Sequence, residues 1–173
     1  MTPTIANPKP GRWCAAALLV AETGRYLMQR RDAFDWINFP DHWACFGGMV
    51  EPGESPEAAV RREIYEELGY RAGAVELFTE YRLVMPFPAP RLERLTFFRI
   101  SIREAEVPML ALNEGADLRL FHPEELAAEA RAVPWDLAAV LMHARREMLF
   151  RPPGPRPAVS VEKSRPGQGS SVK

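Results

Sequence analysis

The apolar and polar positions along the chain predict a mixture of strands and helices. In the clearest helical segment, residues 55–68, Val60, Ile64 and Leu68 recur every four positions and form one apolar face. Shorter apolar runs bounded by turn residues predict six strands, at 13–21, 25–29, 43–46, 75–84, 95–102 and 118–121. Two more helices are expected, at 123–130 and 135–148. In the last helix, one core-facing row is expected from Leu137, Leu141, Ala144 and Met148.

Local signals mark both ends of the first helix. Ser55 is a good N-cap, and Pro56 suits the first helical position because its missing N–H would have no partner there. Gly69 is placed to end the helix in a left-handed conformation. The helix is therefore expected to be well defined, and its polar face is the next question.

One domain, residues 12–150, is expected between two irregular ends. Residues 1–11 contain three prolines and no apolar period, so they are expected to form a loose arm. Residues 151–173 are rich in Pro, Gly and Ser and are expected to be disordered. Within the domain, 31–42 is expected to be a loop with several aromatics, and the proline-rich 85–90 a connection between strands.

The charge balance argues against a general nucleic-acid-binding protein. The net charge of the whole chain is −1. Residues 151–173 contain five basic residues and one acid, so this segment has a charge of +4. Residues 1–150 therefore carry −5, whereas a nucleic-acid surface is expected to be basic.

Other features indicate a cytoplasmic protein without membrane or nucleic-acid partners. Cys14 and Cys45 are too few for a disulfide framework and match no zinc spacing, so both are expected to be reduced thiols. The apolar run at 14–20 is too short to span a bilayer and no cleavage-site pattern follows it.

Three glutamates share one face of the first helix. Glu63, Glu66 and Glu67 lie three and four positions apart in the segment GMVEPGESPEAAVRREIYEELGY, residues 48–70. Like charges at this spacing destabilise a helix by a few tenths of a kcal/mol per pair, so the face is either solvated or bound to a cation. Carboxylate oxygens suit Mg²⁺ or Mn²⁺, and Mg²⁺ is typically shared between carboxylates and substrate phosphates.

The spacing of this segment resembles the signature of the Nudix hydrolase family. Gly48 is followed six positions on by Glu54, and then come Arg62-Glu63, Glu66-Glu67 and Gly69 in register. One position differs slightly from the signature, because Tyr70 occupies a position where an aliphatic residue is more usual. The resemblance implies an α/β (α+β) fold, namely an α/β/α sandwich with a mixed β-sheet.

The resemblance also implies a function. It implies an Mg²⁺-dependent (or Mn²⁺-dependent) pyrophosphohydrolase that cleaves a nucleoside diphosphate derivative, such as a nucleoside triphosphate, a nucleotide sugar or ADP-ribose, by water attack at phosphorus. A homodimer is plausible from family habit. The alternative is a non-catalytic nucleotide-sensing domain on the same fold. Such proteins usually lose signature acids, and none is lost here.

Residue roles follow from the same resemblance. Glu63, Glu66 and Glu67 would be metal ligands, joined by the carbonyl of Gly48. Arg62 resembles the family arginine that orients the glutamates. A pair with Glu54 would hold the helix against its preceding loop, and the alternative is a surface i,i+4 pair with Glu66. One further acid is often recruited from outside the signature, for which Glu114, in a loop before a short strand, is the best candidate. Weaker candidates are Glu80, Glu104 and Glu106.

Aromatic residues just before the signature could stack on a nucleobase. For Trp36 and Phe39, stacking and packing are equally compatible with the sequence, whereas Trp43 is expected to pack in the core. No ligand spacing is matched by His42, His122 and His143.

Overall fold

The computed structural model describes residues 9–85 and 91–146, together with residue 149. Seven strands are present: β1 Lys9–Ala21, β2 Tyr26–Arg30, β3 Trp43–Ala44, β4 Phe46–Met49, β5 Val75–Met85, β6 Arg91–Ile102 and β7 Asp117–Phe121. The described residues also contain three α-helices and one 3-10 helix: α1 Pro56–Leu68, the 3-10 helix Glu104–Met109, α2 Pro123–Ala128 and α3 Pro134–Ala144.

The seven strands form one mixed sheet around β1. The main order is β3-β2-β1-β6-β5, with β4 paired to β1 and β7 paired to β2. β1 runs parallel to β6 and antiparallel to β2 and β4. A parallel neighbour requires a long crossover, and here the chain between β1 and β6 contains α1.

Helices cover both faces of this sheet, because side chains alternate along β1. Ala15, Ala17 and Leu19 pack on the α1 side, whereas Leu18 packs with α2 and α3 on the other. The α1 stripe Val60, Ile64 and Leu68 is fully buried, as its spacing predicted. The α/β/α sandwich with a mixed sheet is therefore confirmed.

Two strands share one edge of β1 and then diverge. β4 pairs with residues 14–17 of β1, and β2 pairs with Leu19 and Val20. β3 pairs with β2, whereas β4 pairs with β1. Cys45 joins β3 to β4, so at this residue the chain crosses from the side of β2 to the side of β1. At this divergence some backbone groups have no partner in the ladder, and buried groups of that kind need side-chain partners.

This divergence also corrects the expected strand at 43–46. The segment is divided between β3 and β4, which pair with different strands, because Cys45 lies at the crossing. Sequence alone does not reveal it, since the whole run is apolar and uninterrupted.

Several element ends also differ from expectation. β1 begins at Lys9 and takes in the end of the expected loose arm, and β6 begins at Arg91 because these residues pair with each other. α2 ends at Ala128 and α3 at Ala144, before their expected ends. The 3-10 helix was not expected. Residues 1–8, the connection at 86–90 and the expected tail at 151–173 lie outside the described residues.

The buried face of α3 is not the expected one. Its buried residues are Asp136, Ala139, Val140 and His143. Leu137 and Ala144 pack only partly against this core. Among the helices in the described ranges, none is long and apolar enough to cross a membrane.

Candidate active site

Both ends of α1 are held as the sequence predicted. The Ser55 hydroxyl accepts a hydrogen bond from the Ala58 N–H at 3.1 Å. Gly69 has φ 64° and donates its N–H to the Tyr65 carbonyl at 2.9 Å. These caps hold the glutamate face of the helix in place against the loop that precedes it.

Arg62 uses all five of its N–H donors to join this helix to that loop. Nε and Nη2 each donate to one carboxylate oxygen of Glu54 at 3.1 Å. Nη2 also donates to the Met49 carbonyl at 3.0 Å. Nη1 donates to Glu63 at 2.9 Å and to Glu66 at 3.0 Å. The expected Arg62–Glu54 pair is therefore present, and so is the i,i+4 pair with Glu66. Hydrogen bonds from Arg62 lower the pKa of Glu54.

The carboxylate of Glu63 lies directly against the backbone of Gly48. A Cβ at residue 48 would be 2.5 Å from Glu63 Cδ, closer than real Cβ contacts occur. Burial raises the pKa of Glu63, and its hydrogen bond from Arg62 opposes the shift. Glycine at 48 thus leaves the space in which this carboxylate sits.

Glu67 is buried at the divergence of β2 and β4. Its Oε2 accepts the Gly47 N–H at 3.0 Å and its Oε1 accepts from the Gln29 amide at 3.3 Å. Burial raises the pKa of Glu67 to about 8, although both hydrogen bonds oppose the shift. Gly47 has φ 135° and lies too close to the Ala15 carbonyl for any side chain. The carboxylate therefore satisfies a backbone donor that the sheet leaves unpaired.

Glu114 reaches the same site because its loop is tied to the end of α1. Asn113 donates its N–H to the Glu67 carbonyl at 2.8 Å and its side-chain amide to the Glu66 carbonyl at 2.9 Å. These are carbonyls that a helix end otherwise leaves unpaired. The charge of Glu114 raises the pKa of both Glu63 and Glu67. Glu114, the candidate acid from outside the signature, thus lies near the signature glutamates Glu63 and Glu67.

A cleft of about 290 Å³ runs past these groups. Glu63, Glu67 and Glu114 line it, whereas Glu54 and Glu66 do not. Two further buried acids also line it, Glu93 and Asp136, which the sequence analysis did not single out. Glu93 pairs with the arginines that flank it in space, Arg12 at 3.3 Å and Arg91 at 2.8 Å.

Asp136 and Gln29 are functional candidates that sequence reasoning missed. Asp136 Oδ2 accepts the Cys45 N–H at 2.9 Å, and Gln29 donates to the Cys45 carbonyl at 3.4 Å and to Glu67. The sequence signal that could have identified Gln29 and Asp136 was a polar residue within an otherwise apolar segment. That signal is weak, because an exposed position explains such a residue equally well in one sequence.

The aromatic residues separate into different environments. Trp43 is buried and packs edge-to-face on Phe121, which confirms the expectation of core packing. Trp36 is 79% exposed and stacks on Phe34, outside the main cleft. Phe39 lines the cleft, with its ring edge-to-face on Trp135 at 5.0 Å between centroids.

The weaker acid candidates are engaged elsewhere. Each pairs with arginine outside the cleft: Glu80 with Arg94 and Arg82, Glu104 with Arg25, and Glu106 with Arg103. His143 is buried and hydrogen bonds through Nδ1 to the Tyr26 hydroxyl at 2.7 Å. Cys14 and Cys45 are both free thiols.

The donor set fits a hard divalent cation. Within residues 9–85 and 91–146, no three acidic, His or Cys side chains stand together at metal-binding geometry, because Arg62 holds Glu63 and Glu66 to itself. Three carboxylates nevertheless line one wall, and the Gly48 backbone meets Glu63 there. Carboxylate and carbonyl oxygens of this kind are the ligands that Mg²⁺ and Mn²⁺ prefer.

Comparison with known proteins gives a consistent result. A family model described as the NUDIX domain matches residues 10–141. The NAD-capped RNA hydrolase of Schizosaccharomyces pombe is 36% identical over 94 residues, which are 54% of this chain and 23% of that protein. Nucleoside triphosphatase NudI of Escherichia coli (strain K12 / DH10B) is 53% identical over 51 residues, 30% of this chain and 36% of that protein. The matched region is thus less than two fifths of either relative.

Solved structures share the fold. The MutT protein from Methanosarcina mazei Go1 superposes with a TM-score of 0.68 at 20% identity, covering 83% of this chain and 99% of that one. The NUDIX domain of Shewanella oneidensis NrtR, solved with ADP ribose, gives a TM-score of 0.62 at 15% identity, covering 86% and 94%. At these identities the likeness concerns the fold alone.

Proposed function

The chain belongs to the Nudix family, and on that premise we propose that it is an Mg²⁺- or Mn²⁺-dependent hydrolase of a nucleoside diphosphate derivative. The observation that carries this proposal is the Arg62 network. One guanidinium, with all five donors engaged, joins the loop before α1 to Glu63 and Glu66. A solvated acidic face would need no such organisation, whereas metal-assisted chemistry requires carboxylates held in position.

The substrate class is a diphosphate linked to a nucleoside. Nucleoside triphosphates, nucleotide sugars and ADP-ribose all present this linkage. The relatives named above include a nucleoside triphosphatase and an NAD-capped RNA hydrolase, which supports nucleotide chemistry for this chain. The arginines Arg12 and Arg31 line the cleft and would attract the phosphate charge.

Glu63, Glu66, Glu67 and the Gly48 carbonyl would hold the metal. When bound, Mg²⁺ or Mn²⁺ would lower the pKa of the attacking water and neutralise charge on the diphosphate. Arg62 would keep the glutamate side chains aligned along α1. Gln29 and the Gly47 N–H fix the Glu67 carboxylate in one orientation.

We assign the general base to Glu114. Both oxygens of Glu67 accept hydrogen bonds, whereas no donor among the described residues engages Glu114. Its carboxylate is therefore free to take the proton of the attacking water at phosphorus. A Glu114→Gln variant should lose about 100-fold or more in turnover, a usual contribution of a general base. Unchanged turnover would move the role to another acid.

The main test is the double variant Glu66→Gln and Glu67→Gln. Formation of the nucleoside monophosphate from a panel of nucleotide derivatives is measured by chromatography with Mg²⁺, with Mn²⁺ and with chelator. The variant should lose metal-dependent turnover while circular dichroism and thermal unfolding remain close to wild type. A matched control changes Glu124 and Glu125, an adjacent pair on α2, to Gln. Wild-type turnover by the active-site variant would refute the proposed function.

A further inference from the structure

The acid Asp136 is placed in the cleft with one oxygen uncommitted. It is 6% exposed and lies in the first turn of α3. Its Oδ2 accepts the Cys45 N–H at 2.9 Å, and no other donor among the described residues reaches the carboxylate. Unlike Glu93 in the same cleft, Asp136 makes no ion pair within residues 9–85 and 91–146. A buried carboxylate with a free acceptor is costly unless something supplies a donor.

Two aromatic rings border the cleft beside this acid. Trp135 precedes Asp136 in the chain. Phe39, in the 31–42 loop, packs edge-to-face on the Trp135 ring. Phe39 has φ 54°, a left-handed conformation that an aromatic residue adopts only at an energetic cost. Strain of this kind persists where surrounding contacts hold it and is often found at binding sites. The loop thus places aromatic rings next to a hydrogen-bond acceptor.

The acceptor lies close to the proposed diphosphate site. Asp136 binds the N–H of Cys45 and Glu67 binds the N–H of Gly47, two residues further along the chain. Two residues of extended chain span at most about 7 Å. The two aromatic rings, the free acceptor and the carboxylates of Glu63 and Glu67 therefore belong to one continuous cleft, in which a nucleotide could place both its base and its phosphates.

We propose that Asp136 is a specificity residue that accepts a hydrogen bond from an exocyclic amino group of the substrate base, with Phe39 and Trp135 bordering the base. This inference rests on the proposed function and adds the class of base. Guanine, adenine and cytosine carry such a donor. Hypoxanthine and uracil present a hydrogen or a carbonyl oxygen at the corresponding positions, and would leave the free oxygen of Asp136 without this donor or face it with another acceptor.

Binding to the wild-type protein provides the first test and needs no catalysis. GMP and IMP, AMP and IMP, and CMP and UMP are titrated without metal at pH 8, above the pKa of about 7 to which burial raises Asp136, and the NMR shifts of the Trp135 indole report dissociation constants. In at least one pair, the amino-bearing nucleotide should bind about tenfold more tightly, because a hydrogen bond to a charged group is worth that much or more. If none of the three pairs differs, the inference is overturned.

The variant Asp136→Asn separates recognition from a purely structural role. Its carboxamide oxygen can still accept the Cys45 N–H, while the amide nitrogen offers a donor where the acid offered an acceptor. The preference for amino-bearing bases should vanish or reverse toward IMP or UMP. A structural role alone would weaken all nucleotides alike. The control Asp35→Asn, on the exposed part of the 31–42 loop, should retain the wild-type preference.

These measurements remain interpretable if part of the scheme is wrong. Base preference without hydrolysis of any substrate would leave the Asp136 inference standing and refute the proposed function. Hydrolysis without any base preference would support the proposed function and refute the Asp136 inference. If Asp136→Asn does not fold, as shown by circular dichroism, the wild-type pairs still decide the inference.

Discussion

Replacing Gly48 by alanine should slow catalysis on the order of 100-fold while leaving the fold intact. The added Cβ would lie 2.5 Å from Glu63 Cδ and 2.7 Å from Oε2, whereas ordinary contact begins at 3.4 Å. The carboxylate must therefore retreat by about 1 Å, and a misplacement of about 1 Å can cost on the order of 100-fold in rate. The obstructed group is the end of a flexible side chain, so the free energy of unfolding should change by less than about 1 kcal/mol.

The assay compares kcat/KM for the best nucleotide substrate with thermal unfolding of the same preparations. Gly73→Ala is the matched control, because its added Cβ would meet nothing within 4 Å. Gly47→Ala provides the opposite contrast. That residue has φ 135° and lies against the Ala15 carbonyl, so this variant should lose stability as well as activity.

Three outcomes of this comparison are informative. Loss of rate in Gly48→Ala alone, with unfolding unchanged, supports the placement of Glu63 as the requirement. Parallel loss of rate and stability would mean that the backbone at residue 48 had been disturbed instead. Wild-type kcat/KM in Gly48→Ala would refute the reasoning, because the position of the Glu63 carboxylate would then be irrelevant to turnover.

Further predictions concern the stability of the core. Ile64→Ala should cost about 2–5 kcal/mol in denaturant unfolding, because the side chain is fully buried, whereas Leu77→Ala, at a site 68% exposed, should change little. Tyr26→Phe should cost about 1 kcal/mol, since it removes the buried hydrogen bond to His143; an unchanged unfolding midpoint would contradict this. Burial raises the pKa of Asp136 from 3.8 to about 7, because the folded protein favours the protonated carboxyl. The contribution of Asp136 to the free energy of unfolding is therefore full below pH 4 and is lost as pH rises through 7. Asp136→Asn should remove this decline, whose slope is at most about 1.4 kcal/mol per pH unit, in unfolding measured from pH 4 to 8.

The sequence determined those features that depend on neighbours along the chain. The Ser55 cap, the Gly69 end and the Val60–Ile64–Leu68 stripe follow from helix geometry over a few residues, and each is present in the structure. The pairing of Arg62 with Glu54 was also expected, because the resemblance to a known signature supplied the register.

Tertiary structure alone decided which polar residues are buried. The Cys45 N–H and Asp136 are 91 positions apart, and Gln29 and Glu67 are 38 apart. The buried face of α3 was misassigned for the same reason, because Asp136 and His143 are polar and lie outside the expected apolar row. Their burial depends on distant partners, the Cys45 N–H for Asp136 and the Tyr26 hydroxyl for His143. The divergence of β2 and β4 leaves the Cys45 N–H available to Asp136, and it is a property of the folded sheet.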